Sequence, residues 1–390
     1  RAAHDLGIDP IEIRRINAAR PGYEAPGQYK FESCGILECI EKMGERVKQK
    51  WPKISEDEGI GYAAFAYMSG GIFNWIHTPY AFSGAMVKVN VDGTVDLFTQ
   101  ASDIGQGHNT VAAMICAEEL GIGLEDIRLH IGDTATTFTD LGAWGSRETL
   151  MNGNAIKAAA AQIKNKLIDI ARLKLGENIV YDLVAKNKRI YLELRPERGF
   201  SYYDLVKDAI RENDGEPLIG RGHYTPHNKG MTSPAYGMGI MAAKAKVDKE
   251  TGRIEAKDFL VVHDCGQVIN PLGVRGQVEG SIHMGLGYAL CEEMPMDQGL
   301  VLNPSFVDYK ILRTRDMPPI EQIEVPTYEP EGPFGAKEAA EATIAPTAPA
   351  LANAVYHAVG AEFYSNVLKP EKVLKAIRDK EKKETGKAKN

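Results

Sequence analysis

Along the chain, the spacing of apolar positions switches between a helical and a strand-like period. Residues 1–50 carry helical periodicity, interrupted by a Gly/Pro-rich stretch at 20–27, and residues 1–17 read as helix. Residues 86–100 alternate in strand fashion around Asp92-Gly93, a dipeptide suited to a tight hairpin turn. A helix is expected over 111–120, a short strand over Ile127–Ile131, a loop of little periodicity over 132–147, and a long amphipathic helix over 154–175. A second hairpin is expected over 179–194, turning near Asn187, and a third over 242–262, turning at 249–252. A glycine-punctuated helix over 277–290 and another over 345–359 follow, and the polar, Lys-rich residues 380–390 are expected to fray.

The first and third hairpins resemble each other: a strand, a Val-Asp turn, a strand, then Gly-Gln. This weak repeat predicts an α+β fold of two related units, with mixed or antiparallel sheets packed by helices. The expected division is a connecting segment at 1–80, a first unit at 81–230, a second at 231–379 and a tail at 380–390.

The 390 residues suffice for two or three domains, and 44% hydrophobic with 25% charged residues is an ordinary globular composition. A formal net charge of -7 argues against nucleic-acid binding through phosphate contacts. No apolar run approaches the roughly 18–20 residues that would cross a membrane. No signal peptide opens the chain; it starts at Arg1 without Met, and the start reads as a cut, a processed end or the point where omitted residues stop. Five cysteines, Cys34, Cys39, Cys116, Cys265 and Cys291, are odd in number and widely spaced. They are expected to be buried thiols in a reducing, cytoplasmic setting, with neither a disulfide framework nor an iron–sulfur site.

Four glycine-rich polar segments lie at the ends of predicted elements. In residues 102–108, Gly105 and Gly107 would let the backbone approach a ligand at a helix start, though a tight strand-to-helix turn explains them equally. In 142–149, Ser146, Arg147 and Thr149 would cradle a phosphate; the plain alternative is a helix cap with a surface Arg. In 264–271 followed by 276–280, Gln277, placed where a helix is expected to begin, offers a neutral amide to a ligand or to the backbone. Glu338 and Glu341 lie three apart on a scaffold of small residues; either could be a general base or a solvated helix-start carboxylate.

Taken together and in this order, the four segments resemble the C-terminal half of the molybdopterin-binding large subunit of the xanthine dehydrogenase, or molybdenum hydroxylase, family. The opening residues 3–17 resemble a helix of that family. Gly105-Gln106-Gly107 is similar to its pterin-contacting turn, Gly145-Ser146-Arg147-Glu148-Thr149 to its second pterin loop, and residues 276–280 to the segment whose Gln touches the cofactor. Residues 335–341 stand where the family keeps Gly-x-Lys-Gly-x-Gly-Glu. The resemblance runs from residue 1 to about 379 and implies Glu341 as catalytic base. It implies cofactor contacts from Ile104, Gly105, Gln106, Gly107, Gly145, Ser146, Arg147, Glu148, Thr149, Gln277, Lys337, Glu338, Ala339 and Ala340.

The implied cofactor is molybdopterin, in its cytosine dinucleotide form, with molybdenum held by the pterin and by no protein ligand. The implied reaction is hydroxylation of an N-heteroaromatic, purine or aldehyde-type substrate with water-derived oxygen. Electrons would pass to 2Fe-2S clusters and FAD on an iron–sulfur and a flavin subunit. Glu338 and Ala340 replace two glycines of the usual motif, and this variant, preceded by Gly332-Pro333-Phe334-Gly335, is similar to 4-hydroxybenzoyl-CoA reductases. That likeness implies, as an alternative, reductive dehydroxylation of an aromatic CoA thioester. Nothing here resembles the family's N-terminal half, so either a companion chain carries it or this chain is a fragment of a longer subunit. A non-catalytic structural half of such a complex, or a solitary binding protein, is the rival reading; the carboxylate at Glu341 favours catalysis.

Overall fold

The computed structural model describes residues 2–26, 29–71, 82–176, 182–226 and 233–387. The fold is α+β, with two four-stranded mixed sheets that share one pairing pattern but differ in where the outer strand falls in the chain, last in the first sheet and first in the second. Across the first run Leu218–Tyr224, Ser83–Val89, Val95–Thr99 and Ile127–Ile131; across the second run Glu58–Ser69, Ala235–Val247, Ile254–Asp264 and Ile320–Glu324. In each, the first three strands pair antiparallel and the last joins in parallel. The helix His108–Leu120 lies between the parallel strands of the first sheet, and Pro271–Leu290 between those of the second. A parallel partner needs such a crossover, whereas the hairpins close directly, at Val89↔Val95 and Val247↔Ile254.

Each sheet carries a long helix against its outer strand. Gly220 and Gly222 meet helix Gly153–Leu175 so closely that a Cβ on Gly222 would lie 1.9 Å from the Ala155 carbonyl oxygen. Gly59 and Gly61 meet helix Thr347–Val359 likewise; a Cβ on Gly61 would lie 2.1 Å from the Ala354 nitrogen. Alanines on the helices and glycines on the strands bring the two backbones into contact. The first core is built from Val87, Leu97, Ile115, Ile156 and Ile163, the second from Met241, Phe259, Val261, Leu351 and Val355. Helix Ile36–Lys50 covers the opposite face of the second sheet, packing Ile40 and Met43 on Ile240, Leu260 and Val262. That sheet is therefore buried on both faces.

The first hairpin, the Ile127–Ile131 strand and the long helix stand where the sequence places them. The second hairpin pairs Leu183–Lys186 with Arg189–Leu192, and Asn187 and Lys188 take the left-handed conformation of its turn; residues 179–181 lie outside the described residues. The third hairpin is longer than expected, because its first strand starts at Ala235. Three expectations need correction. Residues 1–17 form two short helices, Ala2–Leu6 and Pro10–Ile16, separated at Gly7 (φ +64) and restarted by Asp9, whose carboxylate accepts from the Ile11 and Glu12 amides. Gln277 does not begin its helix: Asn270 caps it and Pro271 is its first residue, so Gln277 sits in the second turn. The tail is not wholly frayed, since helix Pro370–Lys387 runs through most of it, with Val373 and Ile377 packed on the second core.

Candidate functional site

Between the two sheets lies a cleft of about 290 Å³. All four singled-out segments reach it: Ile104 and Gln106 from the first, residues 146–149 from the second, Gln277 from the third, and residues 337–341 from the fourth. Gly105, Gly107 and Gly145 do not line it; each has positive φ and shapes a turn. His108, Trp144, Cys265, Gln267 and Asn270, which belong to the singled-out segments but were not named from sequence as site residues, also line it. The repeat carried a signal for one of them: Gly266-Gln267 follows its strand as Gly105-Gln106 follows the equivalent strand of the first sheet.

The 103–107 turn is braced from within. Asp103 accepts from the Gly105 amide (2.9 Å), the Gly107 amide (3.3 Å) and the Asn109 amide (3.0 Å). The Gln106 side-chain oxygen Oε1 accepts from the Ile104 amide (2.7 Å). The expectation that this turn aims its backbone N–H groups at a cofactor is thus met by a loop whose Ile104, Gly105 and Gly107 amides are already engaged. Gln106 Nε2 donates to Glu148 Oε2 (2.5 Å) and to the Ser102 carbonyl (3.1 Å).

Below Gln106 is a buried polar chain. His108 Nδ1 lies 3.7 Å from Glu148 Oε2, His108 Nε2 contacts Asn152 Oδ1 (3.2 Å), and Asn152 donates to Thr99 Oγ1 (2.7 Å). Burial pushes the Glu148 carboxyl up to about 7, against the pull of the Gln106 amide and helped by Asp140 and Asp103. Burial lowers His108, favouring its neutral form. Among the described residues, Glu148 Oε1 and His108 Nδ1 are buried without a hydrogen-bond partner.

Arg147 is not the surface guanidinium considered from sequence. It is 1% exposed and pairs at 2.9 Å with the buried Asp140. It braces the loop beneath the cleft, and its neighbour Ser146 takes φ +49. Gly145 and Ser146 are fastened by their carbonyls, which accept from the Gly71 and Gly70 amides (both 3.1 Å) at the end of strand Glu58–Ser69.

Glu341 opens the short helix Glu341–Ile344 and is exposed to the cleft. Its two oxygens accept from Tyr67 Oη (3.2 Å) and Ser146 Oγ (2.5 Å), so strand, pterin-like loop and carboxylate meet at one point. Burial, and then the Glu341 charge, raise Tyr67 to about 12, which keeps its hydroxyl a donor at neutral pH. Glu338 and Lys337 behave differently. Lys337 is buried and donates to Asp264 (2.7 Å) and Ser33 (3.0 Å), and Glu338 is buried against His263 (3.2 Å). The side chains of both turn away from the cleft that their backbones line.

Among the described residues no group of three or more His, Cys, Asp or Glu is arranged to hold a metal ion. No helix is long and apolar enough to cross a membrane.

A family model described as a molybdopterin cofactor-binding domain matches residues 38–318. The putative xanthine dehydrogenase molybdenum-binding subunit XdhA of Escherichia coli K12 is 34% identical over 387 residues, covering 95% of this chain and 50% of that protein. The carbon monoxide dehydrogenase large chain of Hydrogenophaga pseudoflava is 29% identical, covering 91% of this chain and 46% of that one. Quinoline 2-oxidoreductase from Pseudomonas putida 86 superposes with a TM-score of 0.88 at 26% identity, over 97% of this chain and 50% of that one. The chain spans about half the length of these relatives. By its matched segment, its fold and its cleft, the chain belongs to the molybdopterin cofactor-binding domain family of xanthine dehydrogenase-type large subunits.

Proposed function

We propose that this chain is the C-terminal, catalytic half of a molybdenum hydroxylase large subunit, with Glu341 as general base. The observation that carries the reading is the exposed Glu341 carboxylate, held by Tyr67 and Ser146 at the point where all four cofactor-contacting segments converge. The cleft suits a pterin. Its wall at Ala339 and Ala340 is small, and the backbone N–H groups of Glu338, Ala339 and Ala340 have no acceptor among the described residues. Glu148 Oε1 and His108 Nδ1 offer further buried polar atoms without partners. Residues 104–107, 145–149 and 337–340, with Gln277, would hold the cofactor, in its cytosine dinucleotide form.

When bound, the molybdenum cofactor supplies oxygen transfer and two-electron redox chemistry. The protein's part is to orient substrate against the cleft wall, to exclude water, and to receive a proton at a Glu341 oxygen. Tyr67 and Ser146 fix which way that carboxylate faces. The substrates in view are N-heteroaromatics, purines or aldehydes, with electrons leaving to 2Fe-2S clusters and FAD on iron–sulfur and flavin subunits in the cytoplasm. A companion chain would supply the N-terminal half. The chain would divide into units at 81–230 and 231–379, each contributing one Gly-Gln turn to the cleft. A second reading, reduction of a 4-hydroxybenzoyl-CoA-like thioester, is favoured by Glu338 and Ala340 at the two usual glycine positions.

The test is Glu341→Gln in the assembled enzyme, with Glu338→Gln as control. Glu341→Gln should retain cofactor and lose at least about a hundredfold in turnover, the scale of general-base catalysis. Glu338→Gln should cost far less. Equal losses would sink the assignment of the base.

A further inference from the structure

Glu338 is the residue of the catalytic loop that departs most from the family's motif, and the structure shows where its side chain goes. Glu338 and His263 side chains are both 0% exposed, and Oε1 of the one lies 3.2 Å from Nε2 of the other. Glu338 Oε2 also accepts, at 3.4 Å, from the Ala342 amide, one residue past Glu341. The space it fills is left by Gly237: a Cβ there would stand 1.9 Å from Glu338 Oε1. Next to this pair, Lys337 meets Asp264 at 2.7 Å, again with both side chains fully buried. Consecutive residues of a strand end, His263 and Asp264, thus pair with consecutive residues of the loop, Glu338 and Lys337. Backbone contacts continue the seam, with Lys337 N donating to Cys265 O (2.9 Å) and a bridge between Gly266 and Ala336.

We propose that His263 and Glu338 form a buried positioning pair that locks the 337–341 loop to the strand end and so sets where the Glu341 carboxylate stands. The inference rests on the reading of Glu341 as the base. Full burial keeps Glu338 from touching substrate, so its influence passes through the backbone of the loop and the Ala342 amide. Removing only the imidazole would leave the carboxyl group without that partner in the core, which is more damaging than replacing both members of the pair. A shift of about 1 Å in a reacting group can cost on the order of a hundredfold in rate.

The experiment compares His263→Ala, His263→Gln, Glu338→Gln and the double Glu338→Gln/His263→Ala in the assembled enzyme. It measures kcat, KM, molybdopterin content and unfolding midpoint, with turnover read on purine, N-heteroaromatic and aldehyde probes. His263→Ala should lower kcat by about ten- to a hundredfold, with KM and cofactor content unchanged. His263→Gln keeps a donor for Glu338 and should stay within about threefold of wild type, in keeping with the small cost of a preserved hydrogen bond; Glu338→Gln keeps one acceptor oxygen where the carboxylate has two and should lose measurable rate, but less than about tenfold. The double variant should recover most of the midpoint that His263→Ala loses, because no carboxylate is left without its partner, while its kcat stays low because the loop has lost its anchor. Simple addition of the two single effects on the midpoint would overturn the pairing, and so would a loss in Glu338→Gln as large as that of Glu341→Gln. Should His263→Ala fail to fold, His263→Gln and the double decide: His263→Gln tenfold slower than Glu338→Gln, or the double as fast as Glu338→Gln, overturns the proposal. If Glu341→Gln turns over normally, the base assignment fails while the midpoints still report the coupling of 263 and 338. If Glu341→Gln is inactive and the midpoint losses add, this inference alone fails.

Discussion

At Glu148 a carboxylate is buried under the cleft with one oxygen on Gln106 and the other without a partner. Its folded-state value near 7 lies above the ordinary 4.5, so between those pH values the folded chain holds a proton that the unfolded chain has released. Its contribution therefore favours folding at low pH and is lost as pH rises through that window. His108, lowered by burial, pulls the other way as pH falls through the ordinary histidine range. The informative quantity is hence the difference between variants. Glu148→Gln should flatten the decline of the unfolding midpoint from pH 4.5 to 7 relative to the parent chain; parallel curves would show that Glu148 does not titrate there. From sequence, Glu148 and Arg147 were one cofactor loop. Their burial, and the pairing of Arg147 with Asp140, depend on partners that the folded loop brings close and on the left-handed turn at Ser146, and no local pattern reports that.

At the scale of elements, helices ride on strands through glycine and alanine. Gly222→Ala would press a Cβ to 1.9 Å from the Ala155 oxygen, so the helix must lift or the strand must bend. Overpacking of this kind typically costs about 1–3 kcal/mol. Gly280 is the contrast: it sits in helix Pro271–Leu290, exposed, with nothing within 4 Å of its absent Cβ. Gly280→Ala should raise stability by roughly 0.5–1 kcal/mol, the usual gain of Ala over Gly in a helix. Denaturant unfolding of the two variants measures both, and the same sign for each would contradict the packing described. Hairpins and amphipathic helices were legible because one face is wet and the period shows. Strand Ala235–Val247 was legible only in its second half: its first half is buried on both faces, so its apolar run has no alternation to read.

Taken whole, the molecule keeps large apolar side chains in water on one stretch of chain. Leu300, Phe306 and Val307 are 69%, 82% and 73% exposed, and Leu272, at the start of the neighbouring helix, is 80% exposed. Exposed apolar surface of this kind is what the companion chain proposed above would cover. On that proposal the isolated chain should bind molybdenum substoichiometrically and reach one molybdenum per chain only when produced with the proposed N-terminal half. Metal analysis of the two preparations checks this; full loading of the isolated monomer would count against it.

The sequence by itself determined the α+β class, the hairpins, the long helices and the order of the four segments that meet at the cleft. Each of these is written in local periodicity, turn chemistry or a short run of residue types. The tertiary structure decided which side chains of those segments face the cleft. Glu338 and Glu341 are alike in sequence and three residues apart, yet Glu338 is buried on His263 while Glu341 stands exposed between Tyr67 and Ser146. The difference lies in partners brought from other strands and loops: Gly237 leaves room for one carboxylate, and Tyr67, directly opposite it in the sheet, supplies a donor to the other.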